Sequence, residues 1–341
     1  MPSLRESIKV QATSSHTYTA NFPEDFCIGS GNWCCFIYVP GGIDLSKSSV
    51  PHGGFITSCF QRVVSEHFAT TLAKQKQPHT MTMHLEFLRR TEVGPAKFVV
   101  KDAKLGRTTS TVHVTLSQGG REEVVAYITN TNLETESGVS FSTAWDLHPA
   151  APKANIAALR SGGDEQWQQQ KSMPFAAFRK ASQHIDFFFP KKGQALKSLV
   201  DQWMRFNDGE KFTNDSLGFV ADMFPQIIES YRTGSDPYAV DPGNRPSEQQ
   251  EEDAKNKGLS KFWYPTLLLN LDVKKALPEE GVDFLFVRIR AKTIKNGRYD
   301  LEVIILDESG DVVALSHHVC MVLSADRNLA KRAPESKSSK L

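Results

Sequence analysis

The sequence contains no run of about 18 apolar residues, the length a helix needs to cross a bilayer, so its hydropathy offers no transmembrane helix. Its opening stretch, MPSLRESIKVQATSS, holds no apolar core of the kind a secretory signal carries. Neither sign of charge is in excess: 40 Lys and Arg against 39 Asp and Glu leave a formal net charge of +1. That balance creates no field favouring nucleic acid or an anionic membrane surface. Cysteine is scarce as well. Cys27, Cys34, Cys35, Cys59 and Cys320 are odd in number and lack zinc-type spacing, so they read as buried thiols of a reducing compartment and imply no metal. There is no G-x-S-x-G elbow, which argues against a serine nucleophile of the α/β-hydrolase type. Gly29-Ser30-Gly31 lacks the third glycine and the strand–helix setting of a dinucleotide loop, so no cofactor is implied.

What is present is a chain of 341 residues, 40% hydrophobic and 23% charged, long enough for two domains or for one domain of two halves. The stretch 214–231, NDSLGFVADMFPQIIESY, organises the rest. Leu217, Val220, Phe224, Ile227, Ile228 and Tyr231 recur at helical spacing, and Phe219 and Met223 widen the apolar surface, so the spacing predicts a buried helix. Asp222 sits among them. A carboxylate there must be paired, neutralised or put to use, unless it is simply an aspartate favoured by the helix dipole. Pro225 predicts a kink close by.

Helix-then-strands occurs twice. Pro51-His52-Gly53-Gly54 leads into FITSCFQRVVSEHF, where Ile56, Cys59, Phe60, Val63, Val64 and Phe68 form an apolar stripe. A glycine pair opening a helix lets a ligand or another backbone approach its free N–H groups. Strand signals follow around Met83–Phe87, Val112–Leu116 and Glu123–Thr129, after a weak edge strand at 16–22. The second round has a strand at 184–190, the organising helix, and strands at 267–273, 284–291, 299–306 and 312–323. Gly54-Phe55 and Gly218-Phe219 hold like places in the two helices, and LGR at 105–107 corresponds to NGR at 296–298. The period is too long for a solenoid and describes a duplicated domain. The expected organisation is a first unit at 15–135, a polar linker at 136–182, a second unit at 183–323 and a flexible tail at 324–341. A polar insertion at 232–260 interrupts the second unit. It has too few hydrophobes to fold alone and is either a lid or a solvated loop.

An α+β chain of two tandem helices, each wrapped by an antiparallel sheet, resembles the double hotdog fold. HGGF at 52–55, HLEFLRRTEVGPAKFVV at 84–100, LGRTTSTVHVTLSQ at 105–118, WMRFNDG at 203–209, ADMFP at 221–225, YPTLLLNLDV at 264–273 and LDESGDVVALSHH at 306–318 are similar to the acyl-CoA thioesterase-like family, which includes the type II acyl-CoA thioesterases. The resemblance implies hydrolysis of an acyl-CoA or another acyl thioester, and proteins of this fold often assemble into homo-oligomers. It also implies a catalytic trio in the second half. Asp222 falls at the family's aspartate, Thr266 at its threonine, and His318 where the family has glutamine. Thioester hydrolysis needs a water made nucleophilic and a place for the oxyanion, which a carboxylate, a hydroxyl and one further polar group supply. His52, Gly53 and Gly54 are the expected substrate-binding residues, with the glycine N–H groups directed at the thioester oxygen. By register of the repeat, the first half offers Ser58 in place of Asp222 and Thr82 in place of Thr266, so one functional site per chain is expected. The replaced glutamine leaves other readings open: a polyketide-type thioester in a specialised pathway, or a non-catalytic acyl-binding protein.

Ser339-Lys340-Leu341 has the form of the C-terminal address read by the peroxisomal import receptor, which makes that receptor an expected partner and the peroxisome the expected compartment. Deleting the tripeptide, or appending residues to it, should leave the protein cytosolic. A truncated protein that still co-sediments with peroxisomes would show that the tail is not the address.

Overall fold

Strand alternation and helix burial carry over into the structure, a computed structural model that describes residues 1–28, 49–171, 179–232 and 262–324. Gly29-Ser30-Gly31, Cys34, Cys35, the polar insertion beyond Arg232 and the tail with Ser339-Lys340-Leu341 lie outside the described residues. Val112, Val114 and Leu116 of strand Ser110–Gln118 point inward and are fully buried, as their alternation requires. The main sheet has 14 strands, and all of its pairings are antiparallel. The first half runs in the order Gln11–Ser14, Thr17–Phe22, Gly94–Lys104, Ser110–Gln118, Arg121–Thr131, His79–Phe87. The second continues with Thr266–Val273, Val312–Met321, Arg298–Leu306, Leu285–Arg290, Leu199–Phe206, Ile185–Pro190, Trp167–Gln169, and Ile294–Lys295 pairs alongside Arg298–Leu306. The halves are joined where His79–Phe87 pairs with Thr266–Val273, with Leu85 opposite Leu269. This is the double hotdog architecture.

One long strand escapes the alternation rule. In Leu199–Phe206 every residue but Arg205 is buried, so no polar face shows in the sequence. Its Asp201 is nonetheless inside, held by Arg288 through two hydrogen bonds of 2.7 Å that oppose the rise burial imposes on its carboxyl. Arg288 also donates to the carbonyl of Pro149, which ties the 136–182 segment to this sheet. That segment contributes the helical turn Ile156–Leu159 and the edge strand Trp167–Gln169, with Trp167 fully buried in a second apolar cluster.

The two helices differ. Gly53–Ala69 is continuous over 17 residues and buried along most of its length. The single helix expected over 214–231 is instead a turn at Asn214–Ser216, a short helix Leu217–Ala221 and a separate helix Ile227–Arg232. Pro225 explains the break, because it has no N–H to continue the ladder and disfavours helical geometry at Phe224. The carbonyl of Met223 is satisfied by the Gln202 amide at 2.8 Å. Asp222 is therefore the C-terminal cap residue of a short helix and not the middle of a long one.

The helices cross at the glycines that mark the repeat. A Cβ on Gly54 would lie 2.9 Å from the carbonyls of Gly218 and Phe219, and one on Gly218 would lie 2.7 Å from Thr57 Cγ2 and 2.9 Å from the Ser58 nitrogen. Each helix also caps the other. Ser58 Oγ accepts from Phe219 N–H at 2.9 Å and Gln61 Oε1 from Gly218 N–H at 2.7 Å, while Asp222 Oδ2 accepts from Gly54 N–H at 2.8 Å. Gly218→Ala should overpack this contact and lower stability by about 1–3 kcal/mol in urea unfolding. An unchanged midpoint would mean that the crossing has room to spare.

Candidate active site

Four elements bring the candidate residues together. His52 is the N-cap of Gly53–Ala69, and Asp222 ends Leu217–Ala221. Thr266 opens strand Thr266–Val273, and His318 lies on the adjacent Val312–Met321. Asp222 Oδ2 is occupied by Gly54 N–H, with His52 Nε2 beyond it at 3.7 Å. Oδ1 faces the other way, 3.5 Å from the Thr266 hydroxyl and 3.6 Å from His318 Nδ1. The expected trio is thus assembled around a single carboxylate oxygen.

Asp222 has a side chain only 10% exposed, and burial raises its carboxyl from the usual 3.8 to about 7. The Gly54 and Thr266 hydrogen bonds oppose that rise, but desolvation is the larger effect. Burial acts in the opposite direction on the imidazoles. It lowers His52 to about 3, helped by the positive charge of Arg179, and lowers His318 to about 3. Both rings are therefore neutral at physiological pH.

The carboxylate opens on a cavity of about 270 Å³. Phe87, Phe187, Phe224, Trp263 and Tyr299 contribute to its apolar walls, and Arg89, Arg90 and Arg179 bring positive charge to its lining. Gly53 lines it too, and its N–H, at the start of the long helix, has no hydrogen bond among the described residues. Gly54 differs from expectation. Its N–H is shared between Asp222 Oδ2 and His52 Nδ1, the latter at 3.2 Å, so it cannot receive a thioester oxygen. His52 lines the cavity and also braces this hydrogen-bonded corner.

The first half has no equivalent. Ser58 spends its hydroxyl oxygen on Phe219 N–H, and opposite Leu85, where the second half has His318 opposite Leu269, stands Ala126. His317 is exposed on the other face of the strand. Sequence reasoning missed Ser316, whose Oγ lies 2.9 Å from His318 Nε2; its signal was a polar residue two positions away on the same strand face. It also missed Cys320, which lines the cavity beside Thr266 and whose thiol is pushed up to about 12 by burial, an inert state for a nucleophile. Cys27, Cys59 and Cys320 are free and buried. His16, His67 and Asp102 meet away from the cavity, where sequence spacing gave no hint of a cluster. Asp102 holds the two Nε2 atoms at 3.3 and 2.9 Å, while Ser15 and Tyr18 hold the Nδ1 atoms at 2.8 and 3.0 Å, so the cluster is a closed hydrogen-bond network.

Two hotdog units sharing one sheet, with one buried carboxylate between them, define a double-hotdog protein with a single candidate site. Comparison with known proteins narrows this class. The acyl-CoA thioesterase N-terminal domain matches residues 44–131 and the C-terminal domain matches residues 156–322. The thioesterase-like protein TwmA of Talaromyces wortmannii is 36% identical over 98% of this chain and 96% of its own. The chain belongs to the acyl-CoA thioesterase-like family. Among solved structures, a hot dog fold protein from Alicyclobacillus acidocaldarius superposes with a TM-score of 0.62 at 13% identity, covering 95% of this chain and 99% of that one. The acyl-CoA thioesterase II TesB2 from Mycobacterium marinum gives 0.55 at 14% identity, covering 95% and 100%. At such identities the likeness is one of fold. No helix among the described residues is long and apolar enough to cross a membrane.

Because the folded-state pKa of Asp222 lies above its unfolded value, its proton is held more tightly in the folded chain. The associated stability is fully present below the usual 3.8 and is lost as pH rises through about 7. The stability of Asp222→Asn relative to the unaltered chain should therefore improve from pH 4 to about pH 7 and level off above it, as read by urea unfolding at several pH values. A difference independent of pH would mean that Asp222 titrates normally.

Proposed function

We propose that this protein hydrolyses an acyl thioester, an acyl-CoA in the first instance, to the free acid and the thiol. The observation that carries the reading is the division of labour within Asp222: Oδ2 is anchored by Gly54 N–H, and Oδ1 is turned toward Thr266, which lines the cavity with Asp222, and toward His318, which is fully buried. A water at Oδ1 loses a proton to the carboxylate as its oxygen attacks the thioester carbon. The C=O π electrons move onto oxygen, and the Gly53 N–H, aided by the positive end of its helix, stabilises the resulting oxyanion. Collapse of the tetrahedral intermediate breaks the C–S bond, and the proton on Asp222 passes to the departing thiolate. A carboxyl near 7 suits both halves of that exchange, since it gains and loses its proton close to physiological pH.

The apolar cavity walls suit an acyl chain, and the arginines of its lining suit the phosphates of a carrier such as CoA. The replacement of the family glutamine by His318, and a relative named only thioesterase-like, favour keeping a second reading in view. In it the same pocket serves a polyketide-type thioester or binds acyl groups without turnover. We further propose, from Ser339-Lys340-Leu341, that the protein works in the peroxisome and meets its import receptor through that tail.

Asp222→Asn is the decisive variant, because an amide oxygen can still accept from Gly54 N–H while the proton acceptor at Oδ1 is lost. Turnover of a panel of acyl-CoAs, followed as free thiol, should fall by roughly 10²–10⁴-fold with little change in KM. Full turnover in well-folded Asp222→Asn would remove Asp222 as the base. Tight acyl-CoA binding without release of thiol by the unaltered protein would favour the binding reading.

A further inference from the structure

Ser316 and His318 are two residues apart on one strand, so both side chains face the interior, and they are 5% and 0% exposed. The Ser316 hydroxyl has one proton and two close neighbours. It lies 2.5 Å from the Asn270 carbonyl oxygen and 2.9 Å from His318 Nε2. The carbonyl can only accept, and two oxygens that close repel unless a proton lies between them. The proton therefore goes to Asn270. Ser316 Oγ is left with lone pairs facing Nε2, which must then be the N–H of the ring.

The other nitrogen follows from this. A neutral imidazole carries one N–H, so His318 Nδ1 is a bare lone pair. It is buried and has no hydrogen-bond partner among the described residues, and it points at Asp222 Oδ1 across 3.6 Å. Two acceptors facing each other at that distance call for a donor that can serve both. A water has two hydrogens to give, and the gap is too long for a direct hydrogen bond. A water entering from the cavity beside Asp222 and Thr266 reaches both atoms once the buried ring, which does not itself line that cavity, shifts slightly.

We propose that Ser316 is a positioning residue that fixes His318 as the Nε2–H tautomer, so that His318 Nδ1 and Asp222 Oδ1 each accept one hydrogen of the attacking water. The role of the water rests on the hydrolase reading; the assignment of the tautomer does not. With both hydrogens engaged, the lone pairs of the water are turned toward the thioester. As the water oxygen bonds to the acyl carbon, the hydrogen on Oδ1 is transferred to Asp222, and the other stays on the former water oxygen, hydrogen-bonded to Nδ1. A free imidazole populates both tautomers, and the contact with Ser316 leaves one.

The tautomer can be read directly. Two-bond proton–nitrogen correlation spectra of the full chain, with the His318 signals identified by their loss in His318→Gln, separate Nδ1–H, Nε2–H and imidazolium forms. The expected result at pH 7–8 is a neutral ring protonated at Nε2. An Nδ1–H or imidazolium form would overturn the proposal, and acyl-CoA turnover alongside it would leave the hydrolase reading intact. An Nε2–H ring in a protein that turns over no acyl thioester would support the Ser316 assignment and overturn the role of the water. Ser316→Ala should let the ring populate both tautomers and lower kcat by roughly 10–100-fold at unchanged KM. Ser316→Thr, which keeps the hydroxyl, should restore both the single tautomer and the rate. A ring still wholly Nε2–H in Ser316→Ala would overturn the positioning role.

Discussion

The hydrogen bond from Gly54 N–H to Asp222 Oδ2 is the contact on which the site depends. It spans the crossing of the two hotdog helices, where the absence of side chains on Gly54 and Gly218 lets backbone meet backbone. In return, Ser58 and Gln61 of the long helix cap the start of the short one. Neither helix can move without uncovering N–H groups of the other, and an uncovered buried N–H costs about 1–3 kcal/mol. Asp222 is thus placed by the same contact that holds the two halves in register. The break at Pro225 serves this placement, because ending the helix at Ala221 turns the Asp222 side chain back toward the start of its neighbour.

The electrostatics follow from how little surrounds the carboxylate. Among the described residues no cation is hydrogen-bonded to it; its contacts there are a backbone N–H, a hydroxyl and two imidazoles that burial keeps neutral. At Asp201 the paired Arg288 pulls the carboxyl down, yet burial is the larger effect there too and leaves it raised. Asp201 shows that this chain can bury an acid as one half of an ion pair. Asp222 is buried without such a partner, and its proton affinity rises to neutrality as a consequence. The two acids differ in partners far more than in burial.

Much of this was legible in the sequence because burial writes periodic patterns. The helix at Gly53–Ala69, the strands with one wet face and the duplicated order all follow from that, and the pair Gly53-Gly54 signalled a close approach by a backbone or a ligand without saying which. Where both faces are buried the pattern disappears, which is why Leu199–Phe206 left no alternating signal. The short helix at Leu217–Ala221 was overextended because its apolar spacing continues past Pro225, and periodicity reports burial whether or not the backbone stays helical. Asp222, Thr266 and His318 could be aligned by family register. The commitment of Gly54 N–H and the tautomer imposed by Ser316 could not, since both depend on distances between segments far apart in the chain.

On the proposed hydrolysis, the duplication accounts for a carboxylate at the second position and not at the first. Capping Phe219 N–H takes one acceptor, and Ser58 provides it with a single hydroxyl. Chemistry at the same place requires a second acceptor, turned the opposite way and able to take up a proton. Asparagine reaches as far but presents an NH₂ group on that side, and glutamate would carry its oxygens one methylene beyond the cap. Aspartate is the shortest side chain that can hold Gly54 N–H with one oxygen and offer the cavity the other. The half with serine retains the capping contact, and Ala126 stands where the other half has His318.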